Sequence, residues 1–236
     1  MSKSKIEWTE ETWNPITGCT PISEGCLNCY AKKMAKRLQA MGNKKYINGF
    51  LPTFHEDILY EPLKWKKPRM IFLNSMSDIF HEDISDENIE KIFKIMNTAK
   101  HHIFQVLTKR SKRMVEISSK LNFTDNIWLG VTVENKDSFY RIEDLKKIKC
   151  KIKFLSCEPL LENLENINLK GIDWIIVGGE SGYNAREIQK EWVEYLLQKA
   201  REYNTSFFFK QWGGFNKKKN GNLLNGKKYL EYPVKK

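Results

Sequence analysis

The sequence predicts an α/β fold in which parallel strands alternate with helices. We expect a full or partial (β/α) barrel and keep a doubly wound sheet as the second possibility. Short apolar runs recur along the chain, amphipathic helical segments separate them, and polar residues follow most of the runs. The chain has 236 residues, of which 41% are hydrophobic and 29% charged. This length can bury a substantial core, so we expect a single domain over residues 1–236.

The first clear strand and helix follow each other directly. MIFLNS, Met70–Ser75, is a continuous apolar run of the kind found in buried parallel strands. Ser85 is a suitable N-cap for the next segment, with acidic residues in its first turn. Apolar residues recur at helical spacing on one face of that segment: Ile89, Ile92, Phe93 and Met96. The pair therefore predicts the first strand–helix unit of the sheet.

The same alternation continues to the end of the chain. Further strands are predicted at residues 102–108, 127–134, 152–156, 174–179 and 206–212. Helices are predicted at residues 114–121, around 139–148 and at 191–202. Because strands separated by helices require crossover connections, this order favours parallel βαβ units.

Charged side chains stand at the ends of these predicted strands. A helix N-cap explains a serine at such a place but not a series of charges. In a barrel the carboxyl ends of the strands meet at one mouth, where active sites lie. We therefore predict a polar active site there, formed by Lys109, Arg110, Glu134, Glu158, Glu180 and Lys210.

Three of the five cysteines, Cys19, Cys26 and Cys29, fall within eleven positions. An odd, clustered set argues against a disulfide framework. Structural zinc needs a fourth ligand, for which the candidates are His55, Cys150 and Cys157. A redox pair would not need Cys19. A [4Fe–4S] cluster held by three thiolates would keep one iron open for a ligand.

The composition bears on partners and location. The net charge is +11 and the isoelectric point about 9.3, which can attract nucleic acid or can merely reflect a lysine-rich surface. A basic C-terminal extension is predicted over residues 217–236. No apolar run approaches the roughly 20 residues of a membrane span, and the N-terminus has no secretory signal. We expect a cytoplasmic protein without membrane contact.

The segment WNPITGCTPISEGCLNCYA, residues 13–31, closely resembles the opening motif of a phage-associated three-cysteine family of unknown function that is related to the radical-SAM superfamily. The resemblance continues in order along the chain, through FLNSMSDIFHEDI, FQVLTKR, IWLGVTVEN, FLSCEPLL, WIIVGGESG, AREI and FFFKQWGG. It implies a barrel of the radical-SAM type with residues 13–31 as a cluster-binding loop.

The resemblance also implies cofactors. Cys19, Cys26 and Cys29 would hold a [4Fe–4S] cluster whose open iron binds S-adenosylmethionine (SAM). Reductive cleavage of SAM would give methionine and a 5′-deoxyadenosyl radical that abstracts hydrogen from a substrate. The loop departs from the usual superfamily motif in two ways. Six residues separate its first two cysteines, and Asn28 stands where an aromatic residue is usual, with Tyr30 following.

Further roles follow from residue chemistry. NSMSD stands where the superfamily usually has Gly-Gly-Glu, so Asn74, Ser75 and Asp78 are candidates for the SAM amino group. Lys109 or Arg110 would pair with the SAM carboxylate, and Thr132 or Glu134 with its ribose. Gly178 and Gly179 would allow close approach of a ligand, and Tyr30 would stack on adenine. Glu158, Glu180 and Lys210 would face the substrate.

Three functions therefore remain open. The first is a radical-SAM-like enzyme that acts on DNA, RNA or a nucleotide and receives electrons from a donor such as flavodoxin or ferredoxin. The second is a zinc-stabilised nucleic-acid-binding protein without catalysis. The third is a radical enzyme that acts on a small molecule and whose basic surface is incidental. The sequence does not indicate an oligomeric state.

Overall fold

The computed structural model describes residue 4 and residues 6–233, without the side chain of Lys217. The ends of the predicted domain and the last residues of the predicted basic extension lie outside this part. The strands are β1 (Glu11–Trp13), β2 (Ile16–Thr17), β3 (Thr53–Phe54), β4 (Met70–Leu73), β5 (Ile103–Thr108), β6 (Ile127–Thr132), β7 (Ile152–Cys157), β8 (Trp174–Gly178) and β9 (Ser206–Gln211). The helices are α1 (Tyr30–Ala40), α2 (Asp86–Thr98), α3 (Ser111–Ile117), α4 (Tyr140–Lys147), α5 (Lys190–Glu202) and α6 (Lys217–Asn220).

Seven strands form one parallel sheet in the order β1-β4-β5-β6-β7-β8-β9. The sheet curls into a half-barrel, which confirms the predicted partial barrel. The doubly wound alternative is wrong, because the strand order never reverses along the sheet. Since each crossover between parallel strands has the same hand, the connecting helices lie on one face.

The two faces of the sheet carry different cores. The helix-facing core combines outward strand residues such as Val106 and Leu129 with α2 residues such as Phe93. The inner face carries a smaller aromatic cluster that includes Trp128, Phe154 and Trp174, together with Trp8 from the N-terminal segment. Trp8 is 2% exposed, and its ring centroid lies 4.6 Å from that of Phe72. Aromatic side chains therefore fill the lower part of the half-barrel.

Most of the predicted elements are present, with shifted ends. The predicted strand 70–75 ends at Leu73 because Asn74 has a φ of 57°, a left-handed conformation that breaks the extended chain. The predicted helix 114–121 begins earlier, at Ser111, and ends at Ile117 before a 3-10 turn. Ser85 caps α2 as expected by accepting from the amide of Asn88. β1, the small β2–β3 pair and α1 were not predicted from the sequence.

The C-terminal segment covers the outer edge of β9. The amide of Phe209 donates to the carbonyl of Tyr229 at 2.8 Å, and that of Glu231 to Phe207 at 3.2 Å. A tight turn at Asn225 and Gly226 precedes this segment, and both residues have positive φ. The edge of the sheet is therefore paired in this part of the chain. No helix within the described residues is long and apolar enough to cross a membrane.

Candidate functional site

Inward-pointing polar side chains gather at the carboxyl end of the half-barrel, here called the mouth. Side chains alternate between the two faces of a strand, so residues two apart share a face. On β6 and β7 the inner row changes from aromatic to polar toward the carboxyl end, as in Phe154, Ser156 and Glu158. The charges predicted at the strand ends therefore do lie at one mouth, above an aromatic floor.

The loop that carries the three cysteines follows β1 and β2 and leads into α1. Gly18 opens it with a φ of 85°, and a Cβ there would lie 2.1 Å from the carbonyl oxygen of Leu51, so glycine is required. Cys19, Cys26 and Cys29 are partly buried and form no disulfide. Cys29 is the N-cap position of α1. We call residues 18–29 the cysteine loop.

Side chains from the strand ends attach the cysteine loop to the mouth. Ser23 donates to Glu134 after β6, and Asn28 Nδ2 donates to Glu180 Oε2 after β8 at 2.9 Å. The Arg186 guanidinium reaches the carbonyl of Glu24 at 3.1 Å. The loop therefore lies across the mouth rather than beside it.

Arg110, after β5, holds the start of the loop. Its guanidinium donates to Thr20 Oγ1 at 2.9 Å and to Cys19 Sγ at 3.4 Å. It also donates to Glu82 Oε2 at 2.7 Å, and this bond lowers the pKa of Glu82 to about 2. Asp78 lies 3.5 Å from the same guanidinium. Arg110 is therefore occupied by the protein, although it was predicted to pair with a SAM carboxylate.

Asp78 organises the turn after β4. Its carboxylate accepts from Thr108 Oγ1 at 2.7 Å and from the amides of Lys109 and Phe80 at 3.0 Å each. These bonds join the ends of β4 and β5. Lys109, the residue after Thr108, has no ion-pair partner at contact distance among the described residues, and its charge acts on Cys26 and Glu134.

Glu158 and Lys210 form the opposite side of the mouth. Lys210 Nζ lies 3.0 Å from Glu158 Oε1. Glu158 Oε2 accepts from the indole of Trp8 at 3.2 Å and from Ser156 Oγ at 3.3 Å. Two of the three predicted substrate-facing residues are thus one ion pair placed directly above the aromatic floor.

Glu134 and Glu180 are each neutralised by an arginine. Arg141 on α4 pairs with Glu134 at 2.7 Å, and both side chains are almost fully buried. Burial raises the pKa of Glu134, but Lys109 and Arg141 outweigh this effect and the net pKa is lowered. For Glu180, the opposing effect of burial is likewise outweighed by hydrogen bonds from Arg186 and Asn28, which lower its pKa. Both groups are therefore carboxylates at neutral pH.

The remaining predicted cofactor residues lie around the same mouth. Asn74 is 3% exposed, and its Nδ2 has no hydrogen-bond partner within the described residues. Ser75 Oγ donates to Asn14 at 3.1 Å, while the Ser75 carbonyl accepts from the hydroxyl of Tyr30. The Tyr30 residue is 55% exposed. The carbonyl of Thr132 accepts from Arg141 at 2.9 Å.

Contacts within the protein account for the need for glycine at positions 178 and 179. A Cβ at Gly178 would lie 2.8 Å from Glu158 Oε1, and one at Gly179 would lie 2.1 Å from the carbonyl oxygen of Trp212. Protein atoms therefore take the space beside both glycines, where a ligand was predicted. Trp212 packs on Phe209 at 4.7 Å between ring centroids and donates to the carbonyl of Leu223.

The donor chemistry of the cysteine loop fits an iron–sulfur cluster. Burial raises the pKa of the Cys19 thiol to about 11, with a further contribution from Asp78. Burial also acts on Cys26, but Lys109 and the backbone amides near it outweigh burial and lower its pKa. Three free thiols beside two cations suit an anionic thiolate-ligated group. Within the described residues, no three His, Cys, Asp or Glu side chains are gathered as a metal site, so holding a cluster would require the three thiols to turn toward a common point.

Within the described residues, none of the three candidate fourth zinc ligands is gathered with the cysteines of the loop. Cys157 is fully buried in the helix-facing core. Cys150 lies before β7, at the amino end of the sheet, where its thiol faces the carbonyl of Ile152. His55 is 2.7 Å from Thr17 Oγ1, and His81 contacts Thr20 Oγ1 at 2.9 Å. Both histidines are therefore engaged in hydrogen bonds to threonines, His55 to Thr17 and His81 to Thr20.

Some residues of the site were missed. Ser23 and Arg141 fix Glu134, and Glu82 fixes Arg110. The position of Ser23 between Cys19 and Cys26 was an available signal. Arg141 lies on a helix at no distinctive spacing, so no sequence pattern indicated that it reaches the mouth.

Comparison with known proteins gives a family and a fold. A family model described as "Protein of unknown function (DUF5131)" matches residues 3–233. No curated protein matches the sequence. A cysteine-to-serine mutant of spore photoproduct lyase is similar in structure, with a TM-score of 0.51 and 13% identity over 85% of this chain and 63% of that one.

Two further solved structures of the same enzyme are also similar. Its complex with dinucleoside spore photoproduct has a TM-score of 0.49, with 11% identity over 86% of this chain and 64% of that one. A double mutant with bound AdoMet and dinucleoside spore photoproduct has a TM-score of 0.47, with 12% identity over 81% of this chain and 61% of that one. This chain spans about three fifths of the length of these structures. At such low identity the likeness shows a shared fold.

Proposed function

The chain belongs to DUF5131, a family of proteins of unknown function, and from this premise we propose that it is a radical-SAM-like iron–sulfur enzyme that acts on a nucleic acid or nucleotide. The observation that carries the proposal is the attachment of the cysteine loop across the mouth. Contacts with Arg110, Glu134 and Glu180 attach the loop and its three free thiols to the charged ends of the strands. A loop with a purely structural role would not need to cover the charged end of the half-barrel.

The chain's own residues would bind and orient the cofactors. Cys19, Cys26 and Cys29 would hold a [4Fe–4S] cluster, which together with SAM supplies reductive formation of a 5′-deoxyadenosyl radical. Lys109 is the better partner for a SAM carboxylate, because Arg110 already has four partners. Asn74 Nδ2, buried and unpaired within the described residues, is a second donor for it.

The other predicted cofactor contacts remain part of this proposal. Thr132 and Glu134 would take the ribose hydroxyls, Ser75 and Asp78 the amino group, and Tyr30 would lie against the adenine. Gly178 and Gly179 would contribute to this site indirectly, by leaving room for the Glu158 carboxylate and for the Trp212 backbone.

The substrate would meet Glu158, Lys210 and Glu180. Trp8 and Ser156 fix the Glu158 carboxylate, so Lys210 can leave the ion pair for a substrate phosphate while Glu158 keeps two donors. A net charge of +11 supports a polyanionic substrate. Spore photoproduct lyase is itself seen with a dinucleoside photoproduct. We place the enzyme in the cytoplasm, as one domain supplied with electrons by a flavodoxin or ferredoxin; the phage association stays a prediction.

Anaerobic reconstitution with iron and sulfide tests the proposal. We expect about four iron and four sulfide per chain, and cleavage of SAM to 5′-deoxyadenosine once a reductant is added. Cys26→Ala should lose most of the bound iron. The matched control is Cys150→Ala, which removes a thiol at the opposite end of the sheet and should reconstitute like the wild type.

Two results would refute the proposal. One is a chain that takes up no cluster, or a Cys26→Ala variant that takes up as much iron as the wild type. The other is one tightly held zinc and no iron after both aerobic and anaerobic purification, which would favour the zinc-stabilised nucleic-acid-binding protein.

A further inference from the structure

Two exposed aromatic rings stand together on the rim of the mouth. Tyr183 follows β8 and is 86% exposed, and Phe215 follows β9 and is 79% exposed. Their ring centroids are 5.9 Å apart with an interplanar angle of 83°. Scattered apolar residues are normal on a protein surface, but two large rings in edge-to-face contact form a defined apolar feature.

The backbone beneath the two rings holds them in place. Beyond the regular ends of β8 and β9 the ladder continues, with Ser181 opposite Gly214. The amide of Gly182 donates to the carbonyl of Gly214 at 3.1 Å, and the amide of Gly214 to that of Glu180 at 2.7 Å. Each aromatic residue directly follows a glycine with positive φ, Gly182 at 122° and Gly214 at 81°. The pair is therefore presented by a paired backbone and not by a free loop.

Basic residues and the cysteine loop adjoin the pair. Segment 211–221 contains three lysines and no acidic residue. Its helix α6 is attached below Phe215, because Asn220 Nδ2 donates to the carbonyl of Gly213 at 2.8 Å. Lys218 and Lys219 are exposed. On the other side, Asn28 of the cysteine loop donates to the carbonyl of Asn184 at 3.0 Å, directly after Tyr183.

We propose that Tyr183 and Phe215 form a stacking platform for an unpaired base of single-stranded nucleic acid, whose phosphates contact Lys218 and Lys219. Exposed aromatic faces beside cations are the combination that binds single strands without sequence preference. The nearby Trp212 packs on Phe209 and is not available for stacking on a base. The inference deepens the proposed function by naming its substrate class, and the platform would deliver a base beside the cysteine loop.

Binding of a fluorescein-labelled oligothymidylate of about 16 nucleotides, followed by anisotropy with protein that carries no cluster, tests the platform. The double variant Tyr183→Ala/Phe215→Ala should bind about tenfold or more weakly than the wild type. Tyr183→Phe should bind like the wild type, because it keeps the ring. Inorganic polyphosphate, which has no bases, should bind the wild type and the double alanine variant equally well.

Matched controls separate stacking from charge and folding. Lys149→Gln/Lys170→Gln removes two exposed lysines from loops at the amino end of the sheet and should leave oligothymidylate binding unchanged. The thermal midpoint of each variant should match the wild type, since both rings are exposed. Wild-type protein that does not bind oligothymidylate, or a double alanine variant that binds it normally, would overturn the inference. If the protein takes up a cluster but does not bind oligothymidylate, only the stacking platform is refuted. If it binds oligothymidylate but takes up no cluster, only the proposed radical-SAM-like activity is refuted.

Discussion

Glu134 shows how one carboxylate joins the helical layer, the sheet and the cysteine loop. It lies beyond the end of β6, pairs with Arg141 of α4 and accepts from Ser23 of the loop. A buried carboxylate is costly unless it is paired and hydrogen-bonded. Glu134 meets both conditions, through Arg141 and Ser23. The cysteine loop is therefore attached to a buried carboxylate whose pairing also stabilises the fold.

Removing the partner of this carboxylate should therefore strongly destabilise the protein. We expect Arg141→Met to lower the free energy of unfolding by about 3–5 kcal/mol, because it removes the ion-pair partner of the buried Glu134 carboxylate. Urea unfolding of the purified variant measures the difference. Arg201→Met is the matched control, since the Arg201–Glu231 pair is 49% and 39% exposed, and it should cost no more than about 1 kcal/mol. Equal losses in the two variants would contradict this account of Glu134.

At the scale of elements, local sequence pattern predicted the strands and helices that carry a clear apolar run or stripe, but not those that bury few apolar residues. Buried strands such as β6 and β8 can be predicted from their continuous apolar runs. β1 has three residues and buries only Trp13, and α1 buries only Ala31 and Ala35. Such elements are fixed by their neighbours in space and not by their own periodicity. The same limit applies to Arg141, whose role depends on where α4 packs.

The inner face of the sheet offers a test of packing between elements. Gly130 of β6 lies against the ring of Phe154 on β7, and a Cβ there would be 2.5 Å from a ring carbon. Phe154 is fully buried and its ring centroid is 5.7 Å from that of Trp174. The ring therefore has little room to move away.

We expect Gly130→Ala to lower the free energy of unfolding by about 1–3 kcal/mol through overpacking. Phe154→Leu should also destabilise the protein, because it leaves a cavity. The double variant should be less destabilised than the sum of the two, since each change relieves the other, and denaturant melts of all four proteins complete the cycle. Strictly additive losses would show that Gly130 and Phe154 do not compete for the same space.

At the scale of the whole molecule, the excess of positive charge permits two interpretations. Lysines spread over a solvated surface give a general attraction to any polyanion, whereas lysines beside the mouth would contact particular phosphates. The salt dependence of binding separates these interpretations, because each phosphate neutralised on a single strand contributes about 0.7 to the slope of log K against log salt.

Oligothymidylate binding measured over a range of salt concentrations should therefore show whether the lysines that contact phosphate lie beside the mouth or are spread over the surface. We expect Lys218→Gln/Lys219→Gln to reduce the magnitude of the slope by about 1.4, since two phosphate contacts are lost. Tyr183→Ala/Phe215→Ala should weaken binding at every salt concentration with the slope unchanged, because stacking releases no counterions. The control pair Lys149→Gln/Lys170→Gln should leave slope and affinity as they are. If this control lowers the slope as much as the change at Lys218 and Lys219, the attraction is spread over the surface and the single strand has no defined path to the mouth.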